Sequence, residues 1–243
     1  MPMAQADRRM AAVLGIGGYN LIQNLLVPPR AYVPANLVAG LGLFALARRH
    51  GCTWEDLGLE PTQAPDGFRL GTAGVAMAAA VAVGAGAFPK TRRYLLDERA
   101  AGQRPNDVVF RTMVRFPLGT ALFEELAFRG VIYGMWRRSG ASSPQAAAVT
   151  AGTFVVWHLI PARQALAGNP LGPRLGGPRS RATVVLTGAV LTGVSSLGLS
   201  WMRERSGSLI APWMTHAAFN SALYLAGVAA WRRATNRPGR FDS

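Results

Sequence analysis

Two glutamates stand side by side in a stretch otherwise suited to lipid. Residues 116–129 read Phe-Pro-Leu-Gly-Thr-Ala-Leu-Phe-Glu-Glu-Leu-Ala-Phe-Arg, which sets Glu124, Glu125 and Arg129 among apolar neighbours. A charge at mid-bilayer costs at least ~2.5–3.5 kcal/mol on insertion scales, so each needs a partner or a purpose. Glu125 and Arg129 are four residues apart and can pair on one helix face. Glu124 points about 100° away from Glu125 on a helix and is left unmatched, which makes it the candidate for chemistry. The histidines repeat the pattern. His158 lies within Phe154–Val155–Val156–Trp157–His158–Leu159–Ile160, and His216 within an equally apolar run from Pro212 to Asn220. Asn220 follows His216 by one turn and can share its cavity. The expected membrane interior thus holds two Glu, one Arg, two His and one Asn, on three different spans. A lone intramembrane His, or a Glu–Arg pair, is as readily a structural hydrogen-bonding group. Phe154, Trp157 and Phe219 read as packing, and His50 as a loop residue.

These groups must be carried by membrane helices. The chain has 243 residues, 50% apolar and 16% charged, against about a quarter charged in an ordinary soluble domain. Residues 10–27, 71–88 and 183–200 contain no Asp, Glu, Lys or Arg, and each approaches the ~20 residues that cross a bilayer. Seven spans are expected, at about 10–27, 32–48, 69–88, 108–136, 145–162, 182–202 and 208–231. The fold class is therefore all-α, a polytopic membrane bundle of about seven to eight transmembrane helices that encloses the polar site. One integral domain, residues 1–243, is expected. The loop 52–68 reads as polar surface, 89–106 as an interfacial basic segment, and 167–181 as a flexible Gly, Pro and Arg-rich connection.

The formal charge is +14, which in a soluble chain would point to nucleic acid. Here the arginines flank apolar runs, as in Arg8-Arg9, Arg48-Arg49, Arg92-Arg93, Arg137-Arg138 and Arg232-Arg233, in the manner of headgroup-facing loops. The lipid bilayer, not nucleic acid, is the expected partner. Arg8-Arg9 before an apolar run has the outline of a signal peptide, but without a small-x-small cleavage site it reads as a retained first span. The positive-inside rule, applied to Lys90, Arg92, Arg93, Arg99, Arg104, Arg163, Arg174, Arg179, Arg181 and the tail, favours a cytoplasmic C-terminus, with Arg8 and Arg9 opposing it. A single cysteine, Cys52, excludes an internal disulfide and a Cys-based metal cluster. With 25 arginines to one lysine, the composition suggests a GC-rich bacterial genome and hence the cell membrane of a bacterium.

Three segments, in order, resemble the CAAX-processing type II prenyl endopeptidase and bacteriocin-processing (CPBP) family of membrane proteases. The family pattern of Glu-Glu-x-x-x-Arg, Phe-x-x-x-His and His-x-x-x-Asn matches Glu124–Arg129, Phe154–His158 and His216–Asn220. Gly130 and the upstream Trp54-Glu55-Asp56-Leu57-Gly58-Leu59 also look like the family, and the resemblance covers about residues 50–230. It implies an intramembrane endopeptidase in which Glu124, assisted by His158, activates water, and His216 and Asn220 donate to the oxyanion. Glu125 with Arg129 would support the helix, and Phe154 would shape the site wall. The family has also been read as metal-dependent. Glu124, His158 and His216 make a possible zinc set, but there is no H-E-x-x-H motif and Asn220 would have no task, so no cofactor is the favoured reading. The substrate would be a peptide or a lipidated protein, and the sequence does not define an oligomeric state. Two other classes stay open: a non-catalytic membrane adaptor or bacteriocin-immunity protein of the same fold, and a proton-coupled transporter. The transporter predicts an inverted repeat, which the sequence lacks.

Overall fold

The computed structural model describes residues 2–96, 102–167 and 177–235, leaving aside the side chains of 2–7 and 178–181. These residues form an all-helical bundle with seven long helices among them. They are α1 (Pro2–Leu25), α2 (Tyr32–Arg49), α3 (Ala64–Ala87), α4, α5 (Ser143–Ala167), α6 (Pro178–Ser206) and α7 (Ile210–Thr235). Helix α4 runs unbroken through Pro105–Phe110, Arg111–Ala121, Leu122–Glu125, Leu126–Ile132 and Tyr133–Arg138. Four helical segments have the length and apolarity of a membrane span: Pro29–Arg49, Pro61–Ala87, Ser143–Ala167 and Ala182–Ser206. The seven expected spans coincide with the seven long helices, but α1, α4 and α7 fall short of that apolarity. The two glutamates and one of the membrane histidines are on α4 and α7.

Start and stop signals are local. Proline opens α4 and α6, where its missing N–H is no loss. Gly207, at φ +66°, ends α6 in the left-handed conformation and turns the chain directly into α7. Helix α7 then packs along α3 and along the first half of α4, while α5 packs along α6.

The α3–α7 contact rests on small residues. Gly67, Gly71, Gly74, Ala78 and Ala82 are buried at helical spacing on one face of α3. A Cβ on Gly74 would run into the Thr215 side chain, which is itself tied by its hydroxyl to the Ala211 carbonyl at 2.9 Å. Small residues let two membrane helices gain dispersion contacts that larger ones forbid. Gly74→Val is therefore expected to lower stability by about 1–3 kcal/mol. Gly84→Val, at a position with no atom within reach of an added Cβ, should be near neutral. Thermal unfolding of the two variants in detergent checks this, and equal melting points would refute the packing argument.

The 52–68 loop does not simply lie at the surface. Its first part docks on one end of the bundle, with Cys52 and Leu57 buried and Trp54 half exposed. Thr53 and Asp56 exchange backbone-to-side-chain hydrogen bonds at 2.8 and 3.0 Å. Arg203 of α6 donates to the Glu55 carbonyl at 2.7 Å, Arg138 of α4 pairs with Asp56 at 3.0 Å, and the Leu209 amide donates to the Gly58 carbonyl at 2.8 Å. Charge alone suggested a solvated loop, whereas the buried Leu57, two backbone carbonyls and the Asp56 carboxylate bind it to α4, α6 and the link between α6 and α7. Burial, with the Asp56 carboxylate second, pushes the Cys52 thiol above its ordinary range. A raised thiol stays protonated at neutral pH and is a poor nucleophile. Cys52 is accordingly expected to resist iodoacetamide at pH 7.5 in folded protein and to label readily in denaturant, as mass spectrometry would report.

The basic segment 89–106 contains short turns at Pro89–Arg92 and Arg93–Leu95, and from Pro105 it already belongs to α4. Residues 97–101 and 168–176, most of the expected flexible connection, lie outside the described residues, as does the tail beyond 235. Arg99, Arg174 and the tail arginines of the orientation argument lie there too.

Candidate active site

The site forms where α4, α5 and α7 meet, and its backbone is already unusual. Helix α4 is wound as a π-helix over Arg111–Ala121 and again over Leu126–Ile132, with Glu124 and Glu125 between. Pro117 lies inside the first stretch and has no N–H to give. In the wider winding its missing partner is the Thr112 carbonyl, five residues back, and Ser221 of α7 supplies that carbonyl with a hydroxyl at 3.0 Å. The Pro117 carbonyl accepts from the Leu122 amide and from the Trp213 indole of α7, the latter at 2.9 Å. Neighbouring helices thus satisfy the backbone groups that the proline leaves open, as they must in an apolar medium. π-Wound turns recur at functional sites.

Glu125 and Arg129 pair at 2.9 Å and are essentially inaccessible. Arg129 also donates to the Ser196 hydroxyl of α6 at 2.7 Å and lies over the Phe154 ring at 4.3 Å. The same Glu125 oxygen accepts from His216 Nδ1 at 2.7 Å. Glu124, 4% exposed, turns to the other side of that imidazole. Its Oε1 accepts the Trp157 indole N–H at 3.0 Å. Its Oε2 stands 3.7 Å from Nε2 of both His158 and His216 and has no hydrogen-bond partner among the described residues. His158 bonds through Nδ1 to the Phe154 carbonyl at 2.9 Å, so its Nε2 also faces the carboxylate. Phe154 packs on both imidazoles, with centroids at 4.2 Å from His158 and 6.0 Å from His216.

Of the residues singled out in the sequence, Glu124, Glu125, Arg129, Phe154, His158 and His216 come together in one cluster. Asn220 lies one turn beyond His216 on α7, half-buried, and no hydrogen bond joins it to the cluster among the described residues. Trp157 was read as packing, and it does pack against Phe123 and Phe128, but its indole also holds Glu124. The signal was available: Trp157 neighbours His158 and carries a donor that must be satisfied when buried. Ser196 was missed because a serine in an apolar run carries no signal of its own. The polar interior is also larger than the three-helix set expected from sequence. Asn20 and Gln23 of α1 and Asn36 of α2 are buried as well.

Among the described residues no three His, Cys, Asp or Glu are arranged to hold an ion. The 3.7 Å separations are too long for direct hydrogen bonds, yet a single bridging water at about 2.8 Å from each group would span them.

A buried carboxylate with one oxygen fixed and the other facing two imidazole nitrogens, enclosed by apolar helices, is an arrangement able to hold and polarise a water. The family model for Type II CAAX prenyl endopeptidase Rce1-like proteins matches residues 106–222, which hold α4, α5, α6 and the first half of α7 and so every group of the cluster. Over that segment, just under half of the chain, the protein is similar to that family, and the match supports a CAAX-type membrane endopeptidase kind of function. Neither a curated protein nor a solved structure matches the chain.

Proposed function

We propose that this protein hydrolyses a peptide bond near or within the membrane, using a water activated by Glu124 with help from His158 and no metal. The observation that supports this most is the Glu124 Oε2, buried, unpartnered among the described residues and equidistant from two imidazole Nε2 atoms. A water there loses its proton to the carboxylate as its oxygen attacks the carbonyl. His158, whose Nδ1 is committed to a backbone carbonyl, presents an Nε2 lone pair that can orient the same water.

His216 serves the opposite charge. With Nδ1–H donated to the Glu125 carboxylate, its Nε2 can donate to an oxyanion when that nitrogen carries a proton as well, a form that the carboxylate favours. Arg129 in turn holds Glu125 in place. Asn220, one turn along α7, supplies the second oxyanion donor once substrate enters. The substrate is a peptide or a lipidated protein reached from the bilayer, and the chain works as one integral domain in a bacterial cell membrane.

The test uses purified protein in liposomes against a quenched library of lipidated and unlipidated peptides, with Glu124→Ala and a chelator in parallel. Cleavage that disappears in the variant and survives chelation supports the proposal. Loss of cleavage on chelation would replace the mechanism with a zinc-dependent one. Folded protein that cleaves nothing in the library would favour the adaptor or immunity function.

A further inference from the structure

The family match begins at residue 106, so α1 and α2 lie outside it, yet both reach the site. The reason is again proline. Pro161 lies inside α5, and its missing N–H leaves the carbonyl four residues back, that of Trp157, without its helical partner. Asn20 of α1 donates its side-chain amide to that carbonyl at 2.8 Å. The Tyr19 ring stacks beside the Trp157 indole, with centroids at 6.5 Å and planes at 23°, and touches Phe123 at 5.2 Å.

A second arm runs through α2. The Tyr19 hydroxyl donates to Asn36 Oδ1 at 2.6 Å, and Asn36 Nδ2 donates to the Gly119 carbonyl at 2.6 Å, within the first π-wound stretch of α4. Asn36 is 1% exposed. It gets that close because residue 119 has no side chain: a Cβ there would meet Val33 of α2. The two arms close on Glu124 from both ends. One sets the turn of α4 that leads to it, and the other sets the tryptophan that holds its Oε1.

We propose that α1 and α2 position the catalytic glutamate, with Asn36 and Asn20 as the positioning residues and Tyr19 as the link between them. This rests on the assignment of Glu124 as the base. A carboxylate held by one oxygen can present the other in a single direction. Without the Trp157 bond, rotation about its last torsion would exchange the two oxygens and blur the angle at which water is held. Misplacement of a reacting group by ~1 Å can cost a rate factor of 10². Substrate contacts are not involved, so the effect belongs in kcat and not in KM.

The experiment compares Asn36→Leu, Asn20→Leu and Tyr19→Phe with wild type in two readouts. The first is kcat and KM on a peptide cleaved by the wild type. The second is the ¹⁵N–¹H resonance of the Trp157 indole in detergent micelles, identified by its loss in Trp157→Phe, with Glu124→Ala, which removes the acceptor, as the reference for a lost bond. The expected result is a kcat lower by about tenfold or more with KM within about twofold, together with a displaced indole resonance. Tyr19→Phe keeps the ring and the stacking, so it remains informative if a leucine variant fails to fold. Folded variants with wild-type kcat and an unmoved resonance overturn the proposal, as does a fall in kcat without any displacement. If the wild type cleaves no peptide, the peptidase assignment fails separately. The indole resonance then decides by itself whether α1 and α2 set the Trp157–Glu124 bond.

Discussion

Glu124→Gln should leave a folded protein that cleaves peptides about 10²–10⁴-fold more slowly than wild type, the range a positioned general base contributes. Glutamine is the informative substitution because it keeps the geometry. Its carbonyl oxygen can still accept the Trp157 indole N–H, now made at 3.0 Å to Oε1, and its volume matches. What it cannot do is take a proton from water at the position of Oε2, between the two imidazoles. The loss should therefore appear in kcat, with KM and the melting temperature near wild type. Single-turnover cleavage in detergent, alongside a thermal melt, measures both. Activity within tenfold of wild type would mean that another group takes the proton. A large loss accompanied by unfolding would point to a structural part for Glu124.

Arg129→Met should be the most destabilising single substitution in the site, by about 3–5 kcal/mol. Arg129 is fully buried and bonded to Glu125, to Ser196 and to the face of Phe154. Its removal leaves the Glu125 carboxylate deep in the bundle with the His216 imidazole as its remaining partner, and the cost of that under-compensated buried charge, more than the lost attraction, sets the size of the effect. Arg129→Lys should recover only part of it, since an ammonium cannot hold Glu125 and Ser196 in one planar fork or lie flat on Phe154. The double variant Arg129→Met with Glu125→Gln should be more stable than Arg129→Met alone, because the stranded charge goes with its partner. Denaturant-induced unfolding in mixed micelles tests the order. Additive losses in the double variant would mean that the two side chains do not act as a pair.

Much of this protein is legible in one dimension. The long apolar runs made a multi-helix membrane protein unavoidable, and each of the seven expected spans overlaps one long described helix, although α1 begins well before its expected span and four of the helices have the length and apolarity of a span. The cost of a bare charge in lipid picked out Glu124, Glu125 and Arg129, and the same reasoning picked out His158 and His216. The Glu125–Arg129 pair follows from spacing alone, since both residues lie on one helix.

What sequence could not supply is everything that depends on which helix faces which. Spacing along α4 put Glu124 and Glu125 about 100° apart, but only the arrival of α7 places His216 between them, with one ring nitrogen toward each. Trp157 looked like packing because an indole in an apolar run has no visible partner until α5 is laid against α4. Asn20 and Asn36 passed unnoticed for a related reason. A neutral amide is cheap enough in a membrane helix to raise no alarm, and its task is defined by a carbonyl on another helix. The prolines marked where those carbonyls would be freed. Which side chain answers each one is a matter of distance between helices, and that is decided by close packing at residues such as Gly74 and Gly119, which only the folded bundle brings against their neighbours.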